Sequence, residues 1–114
     1  MNFYEHTIIA RQDSSPAQLK QIQEKYTNLV NKNDGKVVKT ENWGLLNLSY
    51  LIKKNRKGSY IHFKIEGNNK TINELEKNEK IDKNLLRYLT VKVKKLDLKV
   101  NYFEKKSEET KKTN

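Results

Sequence analysis

The chain has no cysteine among its 114 residues. That excludes a disulfide, a zinc–thiolate site, a cysteine nucleophile and a cysteine-held iron–sulfur cluster, and it fits a reducing compartment such as the cytoplasm. No apolar run approaches the roughly 20 residues of a membrane-spanning helix, and Met1 to Arg11 lacks a basic start followed by a long apolar core. The expectation is a soluble, unexported protein. A glycine-rich loop of the kind that cradles nucleotide phosphates is also missing. Acidic residues are in short supply: 14 Asp and Glu face 24 Lys and Arg, for a formal charge of +10.

A field of that sign favours a polyanionic partner, nucleic acid first and an anionic membrane second. The length suits one small domain. With 34% of residues apolar and 33% charged, the core must be small and come from a few well-patterned elements, under a surface made largely of lysine.

Tyr4 to Ala10 mixes aromatic and β-branched residues and ends at Asp13-Ser14-Ser15-Pro16, which predicts a first strand followed by a turn. Ser15, Pro16 and Gln18 form a capping box with proline in the first helical position, so a helix begins at Pro16. Leu19, Ile22, Tyr26, Leu29 and Val30 continue it as one apolar stripe until Asn33-Asp34-Gly35. Lys36 to Ile52 reads as one long bent strand, with Leu46, Leu48, Tyr50 and Ile52 on one face and a bulge or bend at Gly44. Lys53 to Gly58 is then the loop of a hairpin whose return strand is Ser59 to Ile65. In that strand Tyr60 and His62 alternate with a single buried face of Ile61, Phe63 and Ile65.

Gly67-Asn68-Asn69 marks a turn, and Ile72 and Leu75 within Lys70 to Lys80 predict a shorter, asparagine-capped helix. Leu85 to Val93 is a last strand. Leu89, Val91 and Val93 share one face there, with Arg87 and Lys92 among polar alternates, while Leu86 and Tyr88 compete as the inward set. The order β-α-β-β-α-β is the ferredoxin-like α+β arrangement, a four-stranded antiparallel sheet with two helices on one face and the other face open to a partner. Residues 1–98 form this domain, and 99–114 read as a polar C-terminal tail, disordered when free.

Several local runs go beyond element order. Tyr4-Glu5, Trp43-Gly44 followed by Asn47-Leu48-Ser49-Tyr50 and Ile52-Lys53, the Lys54-Asn55-Arg56-Lys57 hairpin and Leu85-Leu86-Arg87-Tyr88 together resemble the bacterial small-subunit ribosomal protein six family, from Phe3 to about Val93. The resemblance implies a cytoplasmic structural protein of the small ribosomal subunit. It would contact small-subunit rRNA in the central domain or platform and pair with small-subunit ribosomal protein eighteen. The family commonly has a basic residue two positions after the motif glycine; Leu46 stands there in this chain, which argues against a phosphate contact at that position.

Lys53, Lys54, Arg56 and Lys57 place four cations within five positions, a concentration that an anion would neutralise; a solubilising loop guarding a sheet edge is the simpler alternative. Arginine occurs only at positions 11, 56 and 87, where its planar fork suits phosphate or a base edge. Arg87 also lies in a family-like run, whereas Arg11 can equally finish a strand or pair with Asp13. The rRNA-binding candidates are therefore Lys53, Lys54, Arg56, Lys57, Arg87 and Lys92. Phe3, Tyr50 and Tyr60 on strands, and Tyr102 and Phe103 in the tail, are candidates for contact with a partner protein. They lack the paired pattern of an RNA-recognition motif, so core or protein–protein packing is favoured over base stacking.

His6 and His62 read as ordinary sheet residues, without the neighbours of a metal site. Glu74, Glu76 and Glu79 read as exposed partners of Lys70, Lys77 and Lys80. Ser14 and Ser15 have capping roles and no base. An acylphosphatase-like hydrolase shares the element order, but Gln12-Asp13-Ser14-Ser15-Pro16 has no glycine and carries an acid where an anion cradle would be needed. No enzymatic activity, cofactor, metal, membrane or small-molecule substrate is expected. The rival binding reading is a free single-strand RNA-binding module or translational regulator on the same fold.

Overall fold

The computed structural model describes residues 2–96. Its elements run β1 (Asn2–Arg11), α1 (Pro16–Lys32), β2 (Lys36–Ile52), β3 (Asn55–Gly67), α2 (Asn69–Lys80) and β4 (Leu85–Val93). The sheet order is β2-β3-β1-β4, every pairing antiparallel. This is the expected ferredoxin-like topology, with β2 and β4 at the edges.

The period-2 alternation of β1 divides the molecule. Tyr4, Ile8 and Ala10 enter one core with Ile61, Phe63 and Ile65 of β3, Ile22, Tyr26 and Val30 of α1, and Ile72 and Leu75 of α2. Both helices therefore cover the same face, and burial of each large apolar side chain there contributes roughly 1.5–3 kcal/mol. The intervening residues Phe3, Glu5, Thr7 and Ile9 face the opposite, open side.

The helix ends follow the expected chemistry. The Ser15 backbone N–H donates to Gln18 Oε1 at 2.8 Å, and Ser15 Oγ accepts from the Gln18 N–H at 3.2 Å. Asn68 and Thr71 form the matching box on α2. At the end of α1 it is Asp34, φ 63°, that takes the left-handed conformation. Gly35 is needed for closeness instead: a Cβ there would lie 2.5 Å from Thr71 Cγ2.

Gly44 has φ 83° and coincides with a register shift in the β2–β3 ladder, the bulge expected at this position. β4 resolves its two possible inward sets. Leu85 and Leu86 are buried and Tyr88 packs on the core, while Leu89 and Val91 are 62% and 48% exposed on the open face together with Arg87. A β1 register shift between Ile9 and Ala10 allows two successive leucines to point inward.

Three expectations are corrected. β3 starts at Asn55, so the hairpin loop contracts to Lys53-Lys54, and Arg56 and Lys57 lie on the strand. β3 is not buried on one face only, since His62 and Lys64 are buried too, beneath Trp43 and Glu41 of β2. Glu79 is not an exposed partner of lysine: it is buried with its Oε2 2.6 Å from His6 Nε2, while His6 Nδ1 lies 2.6 Å from Thr90 Oγ1. Glu76 Oε2 accepts from the same threonine hydroxyl at 3.3 Å.

Candidate nucleic-acid and protein interfaces

The hairpin turn places two lysines in backbone conformations that favour glycine or asparagine, Lys53 at φ 48° and Lys54 at φ 68°. Such a pair matches the two-residue turn that suits the twist of antiparallel strands. For residues with a Cβ the conformation costs roughly 1–2 kcal/mol each. Buried Asn55 offsets part of that. Its Nδ2 donates to the carbonyls of Ile52 and Lys53 at 3.3 and 3.0 Å, and its Oδ1 accepts from the Gln12 N–H at 3.1 Å. Gln12 Oε1 in turn accepts from the N–H groups of Arg56 and Lys57 at 3.3 and 3.2 Å. The loop after β1 thus clamps the hairpin base, leaving Lys53, Lys54, Arg56 and Lys57 exposed around it.

Two further cations lie at this end of the sheet. Arg11 sits opposite Gly58 and pairs with Asp13 at 3.6 Å, an exposed contact of little energetic weight. Arg87, opposite Ile9, places its guanidinium 5.8 Å from the centre of the Tyr50 ring. The fold thus brings one predicted RNA-binding residue against one predicted protein-binding residue. Their cation–π contact holds the arginine while leaving its N–H edges available. Lys92 is not part of this cluster. It lies five residues further along β4, roughly 17 Å away, opposite Tyr4 and beside Phe3 and Lys94 at a separate, open depression.

The open face carries a shallow groove of about 460 Å³. Trp43, His62 and Tyr60 form one wall, Leu89, Val91 and Arg87 the other, and Thr7 and Ile9 the floor. The Trp43 and His62 rings are stacked with centroids 4.8 Å apart, and Tyr60 continues the stack at 6.3 Å from Trp43. Gly58 lets β2 close over this face, because a Cβ there would meet Ile9 Cγ2 at 2.3 Å and Leu48 Cδ2 at 3.5 Å. Below the stack, His62 Nδ1 lies 2.8 Å from Thr7 Oγ1 and Nε2 lies 3.4 Å from Glu5 Oε1. Burial lowers the His62 pKa, outweighing the opposite pull of Glu5. The groove is therefore lined mainly by apolar and aromatic side chains, with the Arg87 cation at one end of a wall and Glu5 as its one acidic lining residue.

Of the partner-contact candidates, Tyr60 lines the groove, Tyr50 stands exposed at its hairpin end, and Phe3 is half-buried at its far end. Tyr102 and Phe103 fall outside the described residues. Trp43, Leu89 and Val91 join the same surface and were not singled out as site residues. For Leu89 and Val91 the signal was the run of alternating apolar residues on β4, which needs the strand order before it can be assigned to a face.

The sequence matches the family model described as ribosomal protein S6 over residues 3–92. The chain belongs to the ribosomal protein S6 family. It is 68% identical over 112 residues to the small ribosomal subunit protein bS6 of Pelagibacter ubique, spanning 98% of this chain and 93% of that one. It is 44% identical over 101 residues to the bS6 protein of Caulobacter vibrioides, covering 89% and 80%. The crystal structure of 30S ribosomal protein S6 from Thermotoga maritima superposes with a TM-score of 0.77 over 99% of this chain and 98% of that one, at 20% identity, a likeness of fold. S6-family membership makes the chain a structural protein of the bacterial small ribosomal subunit, located in the cytoplasm.

Proposed function

We propose that the chain binds small-subunit rRNA in the central domain or platform, together with small-subunit ribosomal protein eighteen, and stabilises an RNA junction there. The observation that carries this reading is the joining of two unlike surfaces at one end of the sheet. Lys53, Lys54, Arg56, Lys57, Arg11 and Arg87 form a cationic pole, and the apolar groove begins at the Tyr50–Arg87 contact. Phosphates suit the pole, since each neutralised charge releases condensed counterions and gives affinity without base readout. The groove suits an apolar, aromatic-accepting protein segment. RNA and protein would then meet along one seam, each strengthening the other's binding.

The test is binding of a central-domain rRNA fragment by the purified chain, with and without ribosomal protein eighteen, across a salt series. Binding that needs the partner and weakens steeply with salt supports the assembly reading. Equally tight binding to unrelated single-stranded RNA without the partner would replace it by the free RNA-binding module.

A further inference from the structure

The groove on the open face carries its charges at its two ends. β1 runs along the floor, with Glu5 opposite Val91 and Ile9 opposite Arg87 on β4. The acidic and the cationic lining residues are therefore four strand positions apart, roughly 13 Å, with Thr7 and Leu89 between them. At the acidic end, 29% of the Glu5 side chain is exposed, and its Oε1 lies 3.4 Å from His62 Nε2. Burial lowers the His62 pKa, so at neutral pH the ring is uncharged. Lys64, directly opposite Glu5 on β3, has its ammonium 3.9 Å from Glu41 Oε2, and Lys39 stands one strand further away.

A protein segment that fills the groove removes the water that now reaches this carboxylate. A carboxylate that loses its water must gain a cation or a proton. The remaining walls decide which cation fits. Val91, 48% exposed beside Glu5, and the facing aromatic wall of Trp43 and Tyr60 suit a flat, weakly hydrated guanidinium on an apolar stem better than the compact, strongly hydrated ammonium of lysine. Arg87 and the hairpin cations repel such a side chain at the other end, so the charge pattern also sets which way the segment lies.

We propose that the Glu5 end of the groove is a subsite for an arginine side chain of the partner protein, with Glu5 as the residue that selects it. The inference rests on the reading of the groove as the seat of a protein segment, and adds the chemistry and the orientation of that segment. The guanidinium donates to the Glu5 carboxylate, a charge-assisted contact, and its stem lies along Val91. The rest of the segment runs over Leu89 toward the cationic pole, where Arg87 stays available to phosphate.

Glu5→Gln keeps the shape of the side chain and removes its charge. In calorimetry without RNA, the affinity of ribosomal protein eighteen for this full-length variant should fall by about tenfold or more. A segment without the arginine gives the reverse sign, because removing a carboxylate that is covered without a cation makes covering easier; equal or tighter binding by Glu5→Gln overturns the proposal. A second arm uses the unsubstituted chain with the peptide acetyl-Val-Arg-Val-amide and its citrulline and lysine counterparts, followed through the amide resonances of Glu5, Leu89 and Val91. The arginine peptide should bind about tenfold or more tighter than the citrulline peptide, which has nearly the same shape without the charge, and measurably tighter than the lysine peptide. Equal binding of the arginine peptide and either counterpart overturns the proposal as well. If ribosomal protein eighteen does not bind the unsubstituted chain, the reading of the groove as its seat falls, and the peptide series decides the arginine subsite by itself.

Discussion

Nε2 of His6 lies 2.6 Å from Oε2 of Glu79, with both side chains fully excluded from solvent, and this contact joins the centre of β1 to the last turn of α2. Burial pushes the Glu79 carboxyl above its ordinary range, although the hydrogen bond and charge of His6 pull it back. Removing either partner leaves the other buried without its main contact. Glu79→Ala should therefore cost about 3 kcal/mol in urea unfolding, several times the effect of Glu74→Ala on the same helix. Because the folded pKa is raised, the stabilisation is complete below the ordinary value of 4.5 and is lost as pH rises through the folded value. The stability of the unsubstituted chain relative to Glu79→Gln should fall in that direction, and a difference independent of pH would count against it.

His62 has the opposite sign. Its pKa is lowered by burial, so the folded chain resists a proton that the unfolded chain accepts near pH 6.5. The stabilisation is complete above 6.5 and declines as pH falls through the lower folded value. Glu5, Glu41 and Lys64 face this ring and set where the decline ends. Unfolding measured from pH 7.5 to 5 should show the unsubstituted chain losing stability relative to His62→Gln; a flat difference would mean that the ring titrates normally.

Two glycines should fail for different reasons. Gly58→Ala brings a Cβ to 2.3 Å from Ile9 Cγ2 and should cost roughly 1–3 kcal/mol through overpacking. In an Ile9→Ala background, which removes Cγ2, Gly58→Ala should cost markedly less than it does beside the native isoleucine. Gly44→Ala meets nothing within 4 Å but is held at φ 83°, so its cost of roughly 1–2 kcal/mol is backbone strain and no neighbouring truncation should relieve it. Thermal unfolding of the single and double variants separates the two mechanisms.

The hairpin turn sets stability against binding. Replacing Lys53-Lys54 by Asn-Gly puts the favoured residues at the two left-handed positions and should raise stability by about 1–2 kcal/mol. The same change removes two cations, so rRNA-fragment affinity should drop and the slope of log K against log salt should lessen by about 2. Higher stability with an unchanged salt slope would show that these lysines serve only the turn.

Arg87→Ala and Leu89→Ser lie two residues apart on one face and should separate the two proposed functions. The first should reduce the salt slope of rRNA binding by about 1 and weaken contact with ribosomal protein eighteen in the absence of RNA by much less than the second. The second should weaken that protein contact tenfold or more and leave the salt slope intact. Calorimetry for the protein pair and filter binding for the RNA provide the readouts; equal effects of both variants in both assays would dissolve the distinction.

What the sequence determined by itself were the features carried by short-range chemistry. Ser15, Pro16 and Gln18 specify a helix start through local hydrogen bonds, the stripe from Leu19 to Val30 needs only the helical period, and Gly44 marks its own bulge through its freedom at positive φ. The family-like runs and the cationic hairpin were equally legible, because composition alone carries charge. Only the tertiary structure decided which residues share a surface. β4 alternates apolar residues on both faces, and its pairing with β1 is what sends Leu86 and Tyr88 inward and Leu89 and Val91 outward. Glu79 looks like any helical glutamate beside lysines until α2 packs over β1 and brings it to His6, 73 residues away in sequence. Tyr50 reaches Arg87 because the hairpin curls over the open face. Such contacts arise from packing between distant elements, for which the local chain has no period, cap or turn to announce the partner.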